Sequence, residues 1–375
     1  MLQQVTLDDV TAIAIGAGIL GTGGGGNPYL ESIHLRRTIR RQGAAPVISP
    51  EALDDDARVA LVGYIGAPTA SIEKLPEGSE LLRAIRLLEA HLDCRLDAVG
   101  IAEIGGANSM GPLIAGLQAG VPTVDGDGMG RAFPELQMTS YMFHDGVTVT
   151  PLAMVDAGES SAVIPRTAGA LWAERLARNL ATSMGATAGL AGFVMSGAQL
   201  KAYGIPYTLS LAKRLGERVL RARSAGEDVP AVIASSLHGQ LLLRGKITDL
   251  FRRTTRGFAR GGLVIEGFGR KPKRLDIEFQ NEFLIATLGK RVLASVPDLI
   301  CIVTEESGEP VTTEVLRYGT RVAVLGVPAA AALKTPRALA VVGPRAFGYQ
   351  IDFQALPNRS VIGVKTAANL GQGSP

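Results

Sequence analysis

Cysteine, histidine and aromatic residues are scarce in this chain. Its 375 residues include two cysteines and four histidines, and 5% are aromatic. Because Cys94 and Cys301 lie far apart and no CxxC pattern occurs, the sequence disfavours both a disulfide framework and a cysteine zinc site. The histidines form no closely spaced metal-binding pair. No Gly-x-Ser-x-Gly elbow is present, which disfavours a serine hydrolase.

The chain also lacks a basic leader and a dense apolar run. Residues 1–4 carry none of the basic side chains that open a signal peptide. The uncharged stretches 10–30 and 181–200 contain repeated glycine with hydroxyl, amide or proline residues, so they lack the large apolar side chains of a membrane span. We therefore predict a cytoplasmic protein without a membrane association.

The charge of the chain is nearly balanced. Its formal net charge is +3 at pH 7, which is weak support for a nucleic-acid partner. Residues 244–274 do contain ten Lys or Arg against two acids. Because these basic residues alternate with strand-like apolar stretches and glycine turns, we interpret the segment as the solvated face of a sheet. Nucleic-acid binding is the minor alternative.

Apolar residues, by contrast, are plentiful. They make up 46% of a chain that is too long for one ordinary core, which predicts two domains. We place an α/β domain with a parallel or mixed sheet at residues 1–160 and a β-rich α+β domain at residues 161–368. The abundance of glycine and alanine further predicts a homo-oligomer.

A strand–helix–strand pattern organises the first domain. A strand is predicted at Ala98–Glu103, a helix from its cap at Asn108 to Ala119, and a second strand at Val121–Asp125. The short connections of this βαβ pattern predict neighbouring parallel strands with a right-handed crossover. Other elements expected here are a helix from Thr6, a strand at Val59–Gly63 and a helix capped by Ser79.

The pattern of apolar residues changes in the second half of the chain. Trp172, Leu176, Leu180 and Met184 recur every fourth residue and predict one face of a helix. A further helix is expected near Ser210–Ala225. The remaining chain alternates short apolar segments with Gly or Pro turns, which predicts strands at 263–266, 275–279, 299–303 and 321–325.

Carboxylates follow both strands of the βαβ unit. Glu103 ends the first strand, and Asp125 and Asp127 end the second. Ligands of open parallel sheets bind outside the carboxyl ends of the strands, so the three acids are candidate catalytic residues. Clustered carboxylates suit general acid/base work or a divalent metal ion as cofactor. The alternative is that Asp-Gly-Asp-Gly is only a tight turn.

Three further side chains lie close to these acids in sequence. Glu135 and His144 are additional candidates for the catalytic set, and Arg131 is a candidate for binding an acidic tail of a substrate. A lone histidine is more often structural, which is the alternative for His144. Farther along, Gln280-Asn281-Glu282 is a candidate polar lining where the second domain meets the cleft.

Two glycine-rich turns are candidate substrate-binding elements. The run Gly21–Pro28 lacks the Lys-Ser or Lys-Thr of a P-loop, but its successive glycines allow close backbone approach to a ligand. The turn 105–109 precedes a helix N-terminus, where free N–H groups favour an anion or a carbonyl. The candidates here are Gly24, Gly25, Gly26, Asn27, Gly106, Asn108 and Ser109. A flexible surface loop and a simple helix cap are the alternatives.

Several runs resemble the S-methyl-thiohydantoin desulfurase-like family. They are Gly21–Pro28, Glu103–Ser109, Val124–Gln137, Phe279–Glu282 and Gly343–Tyr349. The resemblance implies hydrolysis of an S-methyl-thiohydantoin to a hydantoin and methanethiol. It also implies an association with hydantoinase/oxoprolinase proteins, and it names no catalytic residues.

Roles for the candidate residues follow from their chemistry. Displacement of a thiolate needs a base for water, for which Asp125 or Asp127 is suited, and a proton donor, for which Glu103 is suited. The turn 105–109 would hold a substrate carbonyl or carboxylate. Two alternatives remain open: ring opening of a cyclic ureide, and a non-catalytic partner subunit of a hydantoinase or oxoprolinase.

Overall fold

Two sheets and nine α-helices make up the described fold. The computed structural model describes residues 2–66, 77–255 and 258–356. The first sheet has nine strands: β1 Gln4–Val5, β2 Ala45–Ile48, β3 Arg58–Gly66, β4 Ala98–Ile101, β5 Thr123–Asp127, β6 Leu152–Val155, β7 Ser161–Ile164, β8 Thr187–Ser196 and β9 Ile205–Pro206. The second has seven: β10 Gln240–Thr255, β11 Phe258–Gly267, β12 Arg274–Gln280, β13 Glu282–Leu288, β14 Arg291–Ser295, β15 Leu299–Thr304 and β16 Arg321–Val327.

The helices lie between and around the sheets. They are α1 Asp9–Leu20, α2 Pro28–Gln42, α3 Glu80–Leu92, α4 Gly111–Ala119, α5 Ala170–Ser183, α6 Gly197–Tyr203, α7 Thr208–Ala225, α8 Val229–Ser236 and α9 Pro336–Val342. No helix in the described part of the chain is both long enough and apolar enough to cross a membrane.

The first sheet is mixed, with a parallel centre. Its order is β1-β2-β5-β4-β3-β8-β6-β7, and β9 pairs with the end of β5. Strands β2, β5, β4 and β3 are parallel, whereas β8, β6 and β7 add an antiparallel half. The predicted βαβ unit is β4–α4–β5, and its two strands are parallel neighbours. The predicted α/β class of the N-terminal domain is confirmed.

The second sheet is antiparallel throughout and curls into a half-barrel. Its order is β14-β13-β12-β11-β10-β16-β15. The four predicted strands fall within β11, β12, β15 and β16, so the β-rich character of the second half is confirmed. The basic segment 244–274 lies on β10, β11 and the start of β12. The predicted end of the second domain at residue 368 lies outside the described residues.

The first sheet extends beyond the predicted domain boundary at residue 160. Residues 161–206, predicted to belong to the second domain, supply β7, β8 and β9 of the first sheet together with α5 and α6. Strand β8 runs antiparallel to β3, at the centre of that sheet.

Helix α1 is buried over most of its surface, and every residue from Ile15 to Leu20 is buried. It packs closely on α7: a Cβ at Gly16 would lie 1.9 Å from the carbonyl oxygen of Ala212. A Cβ at Gly216 would come equally close to the carbonyl of Ala12, at 1.8 Å. The two glycines therefore allow the backbones to touch. Apolar side chains of α1, α7 and β15 share one core.

The helix predicted from the spacing of Trp172, Leu176, Leu180 and Met184 is present as α5. Trp172 is 53% exposed and Leu176 is 42% exposed. The buried face consists of Ala173, Ala177 and Ala181 together with Glu174. Small side chains let α5 approach its neighbours closely, whereas Leu171, Trp172 and Leu176 are exposed.

Two predicted helix caps are also corrected. The helix after Asn108 begins only at Gly111, because residues 106–109 form a 3-10 turn. The amide of Asn108 contacts the β3 backbone instead of capping a helix: Oδ1 accepts from the N–H of Tyr64 at 2.7 Å. Ser79 is the N-cap residue of α3, but its side chain makes no capping hydrogen bond. The carboxylate of Glu80 accepts the N–H groups of residues 77 and 78, which precede the helix.

Candidate functional site

A cavity opens where the first sheet, the glycine run and the second sheet meet. Its volume is about 140 Å³. An engineered cavity of about 150 Å³ accommodates benzene, so this volume suits one small ring with a short substituent. The described lining residues that bear polar or charged side chains are Asn27, Glu31, Tyr64, Glu80, Glu103, Asn108, Glu135, Arg178, Thr187, Asn281 and Glu282.

Glu103 is positioned by the turn that follows β4. One carboxylate oxygen accepts the side-chain amide of Asn108 at 2.6 Å, and the other accepts the N–H of Phe133 at 3.2 Å. The amide of Asn108 is itself fixed on the backbone of Tyr64 in β3. The carboxyl group therefore has a defined orientation in the cavity wall.

Glu282 enters the same cavity from the second sheet. It follows Asn281, whose left-handed backbone (φ 59°) makes the tight connection from β12 to β13. The side chain of Asn281 accepts the N–H of Ala259 at 2.8 Å, which fixes this connection. Oε2 of Glu282 is buried and accepts no hydrogen bond. The sequence had indicated Gln280–Glu282 as polar lining at this place.

The glycine run packs directly on Glu282 and its neighbour. A Cβ at Gly24 would lie 1.9 Å from Oε1 of Glu282, and a Cβ at Gly23 would lie 2.5 Å from the ring of Phe283. The Thr22 carbonyl accepts the N–H of Phe283 at 2.8 Å. A side chain at Gly24 would displace the carboxylate of Glu282, and one at Gly23 would displace the ring of Phe283. The absence of side chains at these two glycines therefore allows Glu282 to take its position.

Burial raises the pKa of both carboxyl groups. The pKa of Glu103 is raised to about 7, chiefly because the side chain is removed from water, and its hydrogen bonds oppose that rise. Burial raises the pKa of Glu282 well above its usual range, and the charge of Glu103 raises it further. Burial therefore favours the protonated form of both carboxyl groups, and the repulsion between them disfavours a state in which both are ionised.

The structure does not bring Asp125 or Asp127 into the cavity wall. The two oxygens of Asp125 accept the N–H and the hydroxyl of Ser210 at the start of α7. One oxygen of Asp127 accepts three main-chain N–H groups, from Ile104, Met129 and Gly130, at 2.8 to 3.0 Å. Burial raises the pKa of Asp127 to about 7. Both side chains hold backbone behind the cavity.

Arg131 likewise lies behind the cavity, fully buried. Its guanidinium donates to the carbonyls of Pro297 and Asp298 at 3.0 and 2.9 Å and to the hydroxyl of Thr22 at 2.8 Å. It also lies 4.6 Å from the ring centroid of Phe133. These contacts join the loop after β5 to the second sheet, and they occupy the groups that the sequence assigned to an acidic tail.

The remaining catalytic candidates are separated. Glu135 lines the cavity, and burial raises the pKa of its carboxyl group. His144 is exposed and stacks on the ring of Tyr203 with a centroid distance of 4.2 Å. The structure does not place the imidazole of His144 among the cavity residues.

Some of the candidate substrate-binding residues line the cavity and others do not. Gly25, Gly26, Asn27 and Asn108 lie in the cavity wall, whereas Gly24, Gly106 and Ser109 lie behind it. The N–H of Ala107 donates to the carbonyl of Gly25 at 2.9 Å. The two glycine-rich turns are thus joined to each other, and one predicted free N–H group is occupied.

Comparison with known proteins gives the family. Residues 8–166 match the S-Me-THD-like N-terminal domain, and residues 168–356 match the S-Me-THD-like C-terminal domain. The chain belongs to the S-Me-THD-like family. The resemblance seen in the sequence is thereby confirmed.

A solved structure shares the S-Me-THD-like fold of this chain. It is the crystal structure of a protein from Chromobacterium violaceum, 24% identical, with a TM-score of 0.79 over 95% of this chain and 100% of that one. At this identity the likeness shows the fold alone. No curated protein matches the sequence significantly.

One end of the cavity is acidic, and the sequence pattern does not predict it. Glu31 on α2 and Glu80 on α3 line it together with Tyr64 of β3. Both glutamates occur in helices that carry several charged residues, a pattern typical of a solvated face. Their burial comes from packing between elements far apart in sequence. The acid in the first turn after Asn27-Pro28 was the one available signal for Glu31.

The clustered acids in the sequence are compatible with a divalent metal ion as cofactor. Among residues 2–66, 77–255 and 258–356, no three His, Cys, Asp or Glu side chains are grouped so as to hold a metal ion. The three acids of the βαβ unit diverge, since Asp125 contacts α7, Asp127 contacts the turn after β4, and Glu103 lies in the cavity wall.

Proposed function

We propose that this protein hydrolyses an S-methyl-thiohydantoin to the hydantoin and methanethiol. The observation that carries the proposal is the pair Glu103 and Glu282, two buried carboxyl groups with raised pKa values in the wall of a cavity sized for one ring. Membership of the S-Me-THD-like family supports the reaction type.

The two carboxyl groups suit the two proton transfers of the reaction. Glu103, with a pKa of about 7, is the base that takes a proton from the attacking water. Glu282, whose pKa is raised well above its usual range by burial, is the acid that gives its proton to the ring nitrogen. Environments that separate the pKa values of two neighbouring carboxyls are the usual basis for such a division of roles.

One turnover returns both carboxyl groups to their starting protonation states. Water oxygen bonds to the ring carbon that bears sulfur, and the electrons of the C=N bond move to the nitrogen protonated by Glu282. The C–S bond then breaks with its electron pair on sulfur. The proton held by Glu103 protonates the thiolate, and the hydroxyl proton of the intermediate returns to Glu282. Ring and methanethiol leave with both carboxyl groups restored.

The test is release of methanethiol from a 5-methyl S-methyl-thiohydantoin, followed with a thiol reagent. We expect release by the wild type, with or without a chelator, and its loss in Glu103→Gln and Glu282→Gln. Asp125→Asn discriminates this assignment from the one made on sequence, and Glu217→Gln, a half-buried carboxylate on α7 that pairs with Lys213 away from the cavity wall, is the matched control. Thermal melts verify that each variant folds.

The other outcomes distinguish the alternatives. Loss of release in a folded Asp125→Asn, with Glu103→Gln active, would overturn the assignment of the base. Ring opening without thiol would indicate a cyclic-ureide amidohydrolase. An inert protein that co-purifies with a hydantoinase or oxoprolinase would indicate a partner subunit.

A further inference from the structure

The charge of the cavity wall is strongly one-sided. Its described residues include five glutamates and a single arginine, Arg178. That guanidinium is already engaged, because it pairs with Glu174, donates to the carbonyl of Pro134 at 2.8 Å and lies over the ring of Phe258. Arg131 is occupied behind the wall. The described cavity thus offers no free cation to an anionic substituent.

Glu31 carries an unsatisfied carboxylate at the acidic end. The side chain is buried, and Oε2 accepts no hydrogen bond. The nearest basic atom is Nδ1 of His34, 3.9 Å away, which is beyond hydrogen-bond distance and also lacks a partner. A buried polar atom without a partner is rare in folded proteins and calls for an explanation. A ligand donor at this position supplies one.

Two neighbours make the position suitable for a cation. Glu80 also lines the cavity, and burial together with the charge of Glu80 raises the pKa of Glu31 to about 7. Tyr64 lines the same wall, and burial and the charges of Glu31 and Glu80 raise its pKa. Carboxylates with an aromatic ring are the usual elements of a site for an organic ammonium group, since the first supply charge and the second supplies a polarisable face.

The acidic end is connected to the reacting end through one residue. Asn108 donates to Glu103 and accepts the N–H of Tyr64. A ring held at Glu103 and Glu282 would have the acidic end of the same cavity open to its substituent.

From these contacts we infer that the substrate ring carries a cationic nitrogen on its side chain, bound by Glu31, Glu80 and Tyr64. The inference rests on the proposed function, because it names the substituent of the ring hydrolysed at Glu103. It also states a preference: a side chain ending in an amine is selected over one ending in a carboxylate.

The test is calorimetric binding of three unreactive hydantoins. They carry a 3-aminopropyl, a butyl or a propionate group at carbon 5. We expect the wild type to bind the amine about tenfold tighter than the butyl compound, the size of one hydrogen bond between charged groups, and to bind the propionate weakest. In Glu31→Gln the amine should lose that advantage while the affinity for the butyl compound is unchanged. Glu217→Gln is again the matched control.

Two results overturn the inference. One is a propionate that binds the wild type as tightly as the amine; the other is an amine advantage that persists in a folded Glu31→Gln. If Glu31→Gln fails to fold, the ranking of the three compounds on the wild type decides. Methanethiol release from the three S-methyl-thiohydantoins that carry the same substituents is measured in parallel. Release without an amine preference rejects the inference alone, and no release from any of the three rings rejects the proposed function.

Discussion

Glu103 and Asp127 are two buried acids at the ends of neighbouring parallel strands, and they are used differently. Both have a pKa raised to about 7 by burial. Asp127 accepts three main-chain N–H groups with one oxygen and holds the turn after β5. Glu103 accepts one side-chain amide and one N–H group, and it lies in the cavity wall.

The difference shows that a raised pKa does not by itself identify a catalytic acid. Burial produces the same shift in a carboxyl group that stabilises a turn and in one that faces a ligand. The distinguishing feature is what the carboxylate contacts. Three main-chain donors hold one oxygen of Asp127, and the residue does not line the cavity. Glu103 lies in the cavity wall together with a second carboxyl group, Glu282.

The largest effect that sharpens this comparison is expected from Glu103→Gln. The amide cannot take a proton from water, so methanethiol release should fall by about 10²- to 10⁴-fold. One of its two hydrogen bonds is lost, so the free energy of unfolding should fall by no more than about 1.5 kcal/mol. Enzyme assays and urea unfolding measure the two quantities. A folded Glu103→Gln variant with wild-type activity would show that Glu103, like Asp127, has no catalytic role.

Asp127→Ala is expected to give the converse result. Three buried N–H groups lose their acceptor, which should lower the free energy of unfolding by at least about 1–3 kcal/mol. Urea unfolding at pH 6 is the measurement, because Asp127 is then largely uncharged. Asp56→Ala, at an exposed aspartate, is the control. Activity per folded molecule should be retained, and its abolition would place Asp127 beside Glu103 in the chemistry.

The sequence predicted the surroundings of Glu103 because the signals there are local. Apolar runs, a glycine turn and a helix between two strands specify β4, α4 and β5, and parallel pairing brings their carboxyl ends together. The position of Glu103 follows from that rule. The same rule placed Asp125 and Asp127 beside it, but it does not give the direction of a side chain.

What the sequence could not predict depends on irregularity and on distant contacts. The pairing of β4 with β5 shifts from Val99↔Thr123 to Ile101↔Asp127, so four residues of β5 pass two of β4 and the simple alternation of side chains is lost. Arg131 is fixed by carbonyls more than 160 residues away. Burial of Glu31 on a charged helix depends on packing that the pattern of α2 does not contain.

A smaller effect concerns the pH dependence of stability, which the two acids should share. Folding raises both pKa values, so between about pH 4 and 7 the folded chain retains protons that the unfolded chain has released. The free energy of unfolding therefore falls as pH rises through this window, by at most about 1.4 kcal/mol per pH unit for each group. Glu103→Gln and Asp127→Asn should each make the fall shallower in urea unfolding series from pH 4.5 to 8. An unchanged slope in one variant would show that its acid is not buried as described.

The smallest effect tests how Glu103 is tuned. Asn108 donates to its carboxylate and so lowers the pKa of Glu103 against the effect of burial. Asn108→Ala should therefore move the acidic limb of the pH–rate profile upward by about one pH unit, the value of one hydrogen bond to a charged group. Ser109→Ala is the matched control, because its hydroxyl is equally buried and donates only to the carbonyl of Gly106. If Asn108 is purely structural, Asn108→Ala would lower activity at every pH without moving the acidic limb of the profile. Glu103 would then differ from Asp127 only in its position in the cavity wall, and not in how its pKa is adjusted.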